Sequence, residues 1–151
     1  MNISRMALWL VGIMVMGCAP RPDPIRYGQD ACTYCRMTIV DQRYGSELVT
    51  DKAKVYKFDA IECMINYMHA HPDITFAHTL VTHFNHPGEL VDAHTSIYLI
   101  TPKLPSPMRA DINAFADRPT ADSFRRRYGG KIYTWEELLQ MDFRRSAGRS
   151  M

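Results

Sequence analysis

The chain has 151 residues, 46% of them hydrophobic, with 18 Lys and Arg against 16 Asp and Glu. That length suffices for one compact domain with its own core. The near balance of charge excludes a chain built for electrostatic nucleic-acid binding, which needs a strongly basic face; Arg125-Arg126-Arg127 and Arg144-Arg145 read as solvated helix and tail surface.

Residues 1–17 read as a secretory signal peptide: a basic start ending in Arg5, an uncharged apolar run, then Gly17. The run is shorter than the roughly 20 residues a spanning helix needs. Val15-Met16-Gly17-Cys18 resembles a bacterial lipobox, which makes Cys18 the lipidated first residue of the mature chain. Acyl anchoring is stable when several chains insert together. Without Arg5 the mature chain carries 17 positive against 16 negative side chains. Residues 18–29, with Pro20, Pro22, Pro24 and Gly28, read as a flexible tether behind the lipidated Cys. The folded domain is expected over residues 30–142, and residues 143–151 read as a disordered tail.

Residues 38–40 make a short strand candidate. Residues 46–50 read as a strand, and residues 55–58 alternate their apolar side chains as a hairpin partner does. Asp59 stands at an N-cap position with Glu62 three residues on, which predicts a capping box. Ile61, Met64, Ile65 and Met68 then recur at helical spacing over 60–70, so both methionines read as core. His71-Pro72 ends that helix. Residues 74–84 are rich in β-formers and read as a strand, broken by Asn85-His-Pro-Gly88.

The second half repeats the order: a strand over 96–100, a proline-laden loop over 102–108 and a strand over 112–115. A helix over 119–128 follows, closed by Gly129-Gly130. After a strand over 131–133, Thr134-Trp-Glu-Glu137 forms a capping box opening a helix over 135–141. Each half reads ββαβ. The predicted fold class is therefore α+β: two similar ββαβ units, near 30–84 and 94–142, packed in one small domain.

The chemistry concentrates in Cys32-Thr-Tyr-Cys35-Arg-Met37. Thiolate and thioether sulfurs prefer soft metals, above all Cu(I). A thioredoxin-type pair needs its Cys-x-x-Cys at a helix N-terminus, whereas this pair precedes a strand. A zinc site needs four N or S ligands, and no second Cys-x-x-Cys exists. A plain disulfide is the bland alternative. Lipidation of Cys18 leaves Cys32, Cys35 and Cys63, an odd number that disfavours a pure disulfide scaffold. Cys63 itself reads as a buried helix thiol. Met108, in Ser-Pro-Met, lies in a loop where no core is expected, and is a second thioether candidate. All six histidines fall between His69 and His94; His83 or His86 could add an imidazole. No catalytic arrangement stands out, so a non-enzyme is expected.

Four stretches together resemble the NosL family of nitrous oxide reductase accessory lipoproteins. They are Asp30-Ala-Cys-Thr-Tyr-Cys-Arg-Met-Thr-Ile39, Val55-Tyr-Lys-Phe-Asp-Ala-Ile-Glu-Cys63, Ser106-Pro-Met108 with Asn113-Ala-Phe115, and Tyr128-Gly-Gly-Lys-Ile-Tyr-Thr-Trp-Glu-Glu-Leu138. The resemblance implies a periplasmic, lipid-anchored chaperone binding Cu(I). Its implied partners are nitrous oxide reductase, whose copper-sulfide centre it would help assemble, and a membrane ABC-type maturation complex. Cys35, Met37 and Met108 match the family's sulfur ligands, with Cys32 beside them. Two rivals stay open on the residues: a periplasmic thiol–disulfide oxidoreductase using Cys32 and Cys35, and an inert module that binds a protein partner.

Overall fold

A computed structural model describes residues 19–144. Two antiparallel sheets organise it. The first unit runs β1 (Ser46–Thr50), β2 (Val55–Phe58), α1 (Ile61–Ala70), β3 (Phe76–Thr82) and β4 (Leu90–Asp92). A short 3₁₀ turn, Ala93–Thr95, leads into the second unit. That unit comprises β5 (Ile97–Ile100), β6 (Ile112–Phe115), α2 (Arg118–Tyr128) and β7 (Lys131–Tyr133), followed by α3 (Trp135–Leu139).

The strand orders are β2-β1-β3-β4 and β6-β5-β7. In both units the first strand is central, flanked by its hairpin partner and by the strand that returns after the helix. The α+β expectation and the paired ββαβ order therefore hold, with β4 as an addition to the first sheet. At His83 the chain leaves β3 and bridges Ala114 of β6 in parallel, with Phe84 N–H donating to the Ala114 carbonyl at 2.8 Å. One core consequently spans both units, from Leu48, Phe58 and Met64 to Tyr98, Ile112, Trp135 and Leu138. A smaller cluster of Leu99, Phe115 and Ala121 lies under α2.

Four local expectations change. Residues 38–40 form no strand; only Thr38 pairs, with Ala31. The last helix ends at Leu139 rather than 141. The expected capping box at Asp59 is absent: the N-cap is Ala60, with no side-chain bond. Burial explains this, since Asp59 and Glu62 are both turned inside to tertiary partners. The predicted tail also starts later, because Phe143 is buried in the main core. Residues 145–151, like the expected signal peptide and Cys18, lie outside the described residues.

The tether expectation changes most. Residues 19–29 run without regular structure but are docked on the sheet. Ile25 joins the core, Asp23 N–H donates to Glu47 Oε1 at 3.1 Å, and the Pro20 carbonyl meets His78 Nε2 at 3.3 Å. Alternation along β1 makes room for this strap. Ser46 Oγ donates to the Ala60 carbonyl at the start of α1, while Glu47 meets the strap. Gly45 leaves room for it, since a Cβ would come within 2.5 Å of Tyr27 Oη and 2.9 Å of Ile25 Cδ1 and would push both side chains aside. All five residues of β1 are buried as a result.

Candidate metal centre

Residues 30–39 fold back as a tight hairpin directly after the strap. Cys32 N–H donates to the Met37 carbonyl at 2.8 Å, and Ile39 N–H to the Asp30 carbonyl at 2.9 Å. Inside it, Arg36 N–H donates to the Cys32 carbonyl at 3.0 Å and Cys35 N–H to Cys32 Sγ at 3.5 Å. Arg36 takes a left-handed φ of 67°, an uncommon conformation for a side chain of its kind. Such strain persists only where surrounding contacts fix it. They do: Thr33 N–H donates to the Lys57 carbonyl of β2 at 2.8 Å. The Lys57 ammonium binds Asp30 at 2.8 Å and Asp23 at 2.7 Å, joining strap, hairpin and sheet.

The hairpin places Cys32 and Cys35 against the start of α1, where Cys63 sits in the first turn. The three Sγ atoms lie within 4.8 Å of one another, and all three cysteines are free. Cys32 and Cys63 are buried, whereas Cys35 is half-exposed. Sequence reasoning gave Cys63 no role beyond packing. Its signal was the odd thiol count, together with its position in the first turn of a helix entered directly from the hairpin's partner strand.

The thiols are not equivalent. Hydrogen bonds from the Cys35 and Cys63 thiols, joined by the backbone N–H groups of Asp59 and Cys35, hold Cys32 far below its ordinary pKa despite burial. Cys32 in turn raises Cys35 and Cys63, and burial pushes the same way. The hydrogen bonds among the three thiols thus favour negative charge at Cys32. Burial, then that nearby charge, pushes Asp59 up to about 6. The Asp59 carboxylate accepts from Val40 N–H, so the residue expected to cap α1 instead fastens the hairpin.

The other predicted donors are distributed differently. Met37 is 55% exposed on the hairpin, and Val40 beside it is 64% exposed. Met108 is half-buried and packs against the same core that contains Cys32 and Cys63. His83 is a buried core histidine bonded to Ser96 Oγ at 3.0 Å, and burial lowers its pKa. His86 is exposed. Neither imidazole belongs to the sulfur group.

Comparison with known proteins meets this geometry. The NosL family matches residues 26–142. This chain belongs to the NosL family. Among solved structures, the crystal structure of the copper chaperone NosL from Shewanella denitrificans superposes with a TM-score of 0.65. It is 18% identical, and the match covers 78% of this chain and 95% of that one. At this identity the likeness carries the NosL fold. No curated protein matches the sequence.

Proposed function

We propose that this NosL protein is a Cu(I) chaperone whose cargo is held by Cys32, Cys35 and Cys63, with Met37 and Met108 as thioether donors around them. The observation that carries this reading is the convergence of three free thiols, one of them favoured as thiolate, at a half-exposed surface. Soft sulfur ligands select Cu(I) over the hard cations. A site with two buried sulfurs and one at the surface lets a partner donate or accept the ion by stepwise ligand exchange. A closed four-ligand cage would resist that exchange.

The family and the name of the structural neighbour support the same reading and extend it. The chain would be exported, lipidated on Cys18 and held on the periplasmic face of a bacterial membrane. There it would deliver copper for the copper-sulfide centre of nitrous oxide reductase, working with a membrane ABC-type maturation complex. The role is carriage rather than catalysis.

The test is a Cu(I) titration of the reduced full chain in detergent against a chromophoric competing chelator. About one tightly held copper per chain, lost in Cys35→Ser, is expected; failure to compete with the chelator overturns the reading. Mass spectrometry of Cys18 checks the anchor, and the copper content of nitrous oxide reductase from cells lacking the protein checks the client.

The lowered pKa of Cys32 also favours a second reading, thiol–disulfide exchange with Cys35. The pair sits in a hairpin turn and not at a helix N-terminus, which ranks it below carriage. Turnover in an insulin-reduction assay would raise it.

A further inference from the structure

The most unusual buried group outside the sulfurs is Glu62, one residue before Cys63 and 1% exposed. Its carboxylate reaches across to the proline-laden loop between β5 and β6. Oε1 accepts from Ser106 Oγ at 2.5 Å and from Ala110 N–H at 3.1 Å. These two donors bracket Met108. The same five residues close on themselves, since Arg109 N–H donates to the Ser106 carbonyl at 3.1 Å. Asp111 N–H donates to Ser106 Oγ at 2.9 Å and Ser106 N–H to Asp111 Oδ1 at 3.2 Å. Arg109 and Asp111 take left-handed φ angles of 67° and 60°.

Two loops of this molecule therefore carry a methionine beside an arginine in the left-handed region: Arg36 before Met37, and Arg109 after Met108. The first is the sulfur hairpin. The second is held in its unusual shape by a carboxylate rooted beside the third thiol. An ionised or neutral carboxyl in the core is costly to bury, and a plain apolar residue would complete the inner face of α1 more cheaply. A group retained there against that cost, with its hydrogen bonds to other residues directed at one loop, fixes the loop.

The geometry points to Glu62 as a positioning residue: by clamping the Ser106–Ala110 loop to α1 beside Cys63, it delivers Met108 to the thiol cluster as a further sulfur donor. Glu62 touches no cargo itself. It acts as residues behind a metal ligand act, orienting the donor, and loss of such a partner weakens metal binding by about 10–100-fold. The role presupposes that the three sulfurs are the cargo site, so the test separates the two.

The full chain in detergent, labelled with [13C-methyl]methionine, is titrated with Cu(I) as wild type, Glu62→Ala, Glu62→Gln, Met108→Leu and Glu62→Ala/Met108→Leu. The Met108 methyl resonance should move on Cu(I) addition to the wild type. Without copper it should already be displaced in Glu62→Ala, and near the wild-type position in Glu62→Gln, whose amide oxygen still accepts both bonds. Affinity should fall by about 10-fold or more in Glu62→Ala and recover in Glu62→Gln. The double variant should be no weaker than Met108→Leu alone, because the clamp acts only through Met108. Additive losses in the double variant would overturn the clamp's role, as would a Met108 methyl indifferent to Cu(I) in a wild type that binds copper tightly. A Met108 methyl unmoved between metal-free wild type and Glu62→Ala would overturn it even if no copper bound at all. Absence of copper binding in the wild type would fell the chaperone reading separately.

Discussion

The two ββαβ units share a strand order and differ in what their helices obey. In the second unit α2 follows local rules. Asp117 caps it, its side chain accepting from Thr120 N–H at 2.7 Å; Pro119 stands near its start, and Gly129 with φ 72° ends it. In the first unit α1 has no side-chain cap and buries Glu62, Cys63 and Asn66. Asp59 Oδ1, Glu62 Oε2 and Asn66 Oδ1 are buried and find no hydrogen-bond partner among the described residues. Every described cysteine also belongs to the first unit. One copy of the plan follows local rules, while the other sets them aside where tertiary contacts claim the same side chains. Conflict between local and tertiary preference is where function is expected to sit.

The comparison can be broken in order of effect. Cys63→Ser should abolish tight Cu(I) binding, read by chelator competition, with little loss of far-UV circular dichroism. Retained affinity would mean that α1 is not part of the site. On the other side, Phe115→Ala in the small α2 cluster should cost about 3–5 kcal/mol of stability in urea unfolding, yet leave copper stoichiometry unchanged. A lost copper site in that folded variant would show that the α2 cluster also shapes the site.

A pH series sharpens the contrast within the first unit. Burial raises Glu47 to about 7, against weaker lowering by Asp23 N–H and Lys57. A carboxyl raised in the folded state leaves stability intact at low pH and subtracts from it as pH climbs through the folded value. At about 1.4 kcal/mol per pH unit, its share of the decline between pH 5 and 8 is on the order of 2 kcal/mol. Thermal melts should therefore fall across that window in the wild type and flatten in Glu47→Gln. Parallel curves would remove Glu47 as the cause. The smallest effect belongs to the cap: Asp117→Ala should cost about 1 kcal/mol, measured by the same unfolding curves.

The fold was largely legible because its signals were local. Alternation marked β2 as the hairpin partner of β1, helical spacing marked α1, and Thr134 with Glu137 announced the capping box that α3 has. Asp59 and Glu62 carry the same cap signature and mean something else, since Val40, Ser106 and Ala110 lie far along the chain and compete for those carboxylates. The candidate metal centre divided in the same manner. Cys32 and Cys35 stand in one short motif and could be read directly. Cys63 joins them only through the pairing of β2 with β1 and the turn into α1, contacts no spacing rule encodes. His83 looked like a donor on residue type alone, and a core hydroxyl satisfies it instead.

The docked strap changes how an anchored carrier would meet its clients. Among the described residues its first tertiary hydrogen bond comes at Pro20, two residues after the proposed acyl attachment. An unstructured linker of a dozen residues would let the domain roam over a radius of roughly 20 Å. A strap fastened at Pro20, Asp23 and Ile25 removes nearly all of that reach. Such a domain would ride close against the bilayer with its sulfur hairpin at a fixed bearing, and would find partners by lateral diffusion in the plane of the membrane.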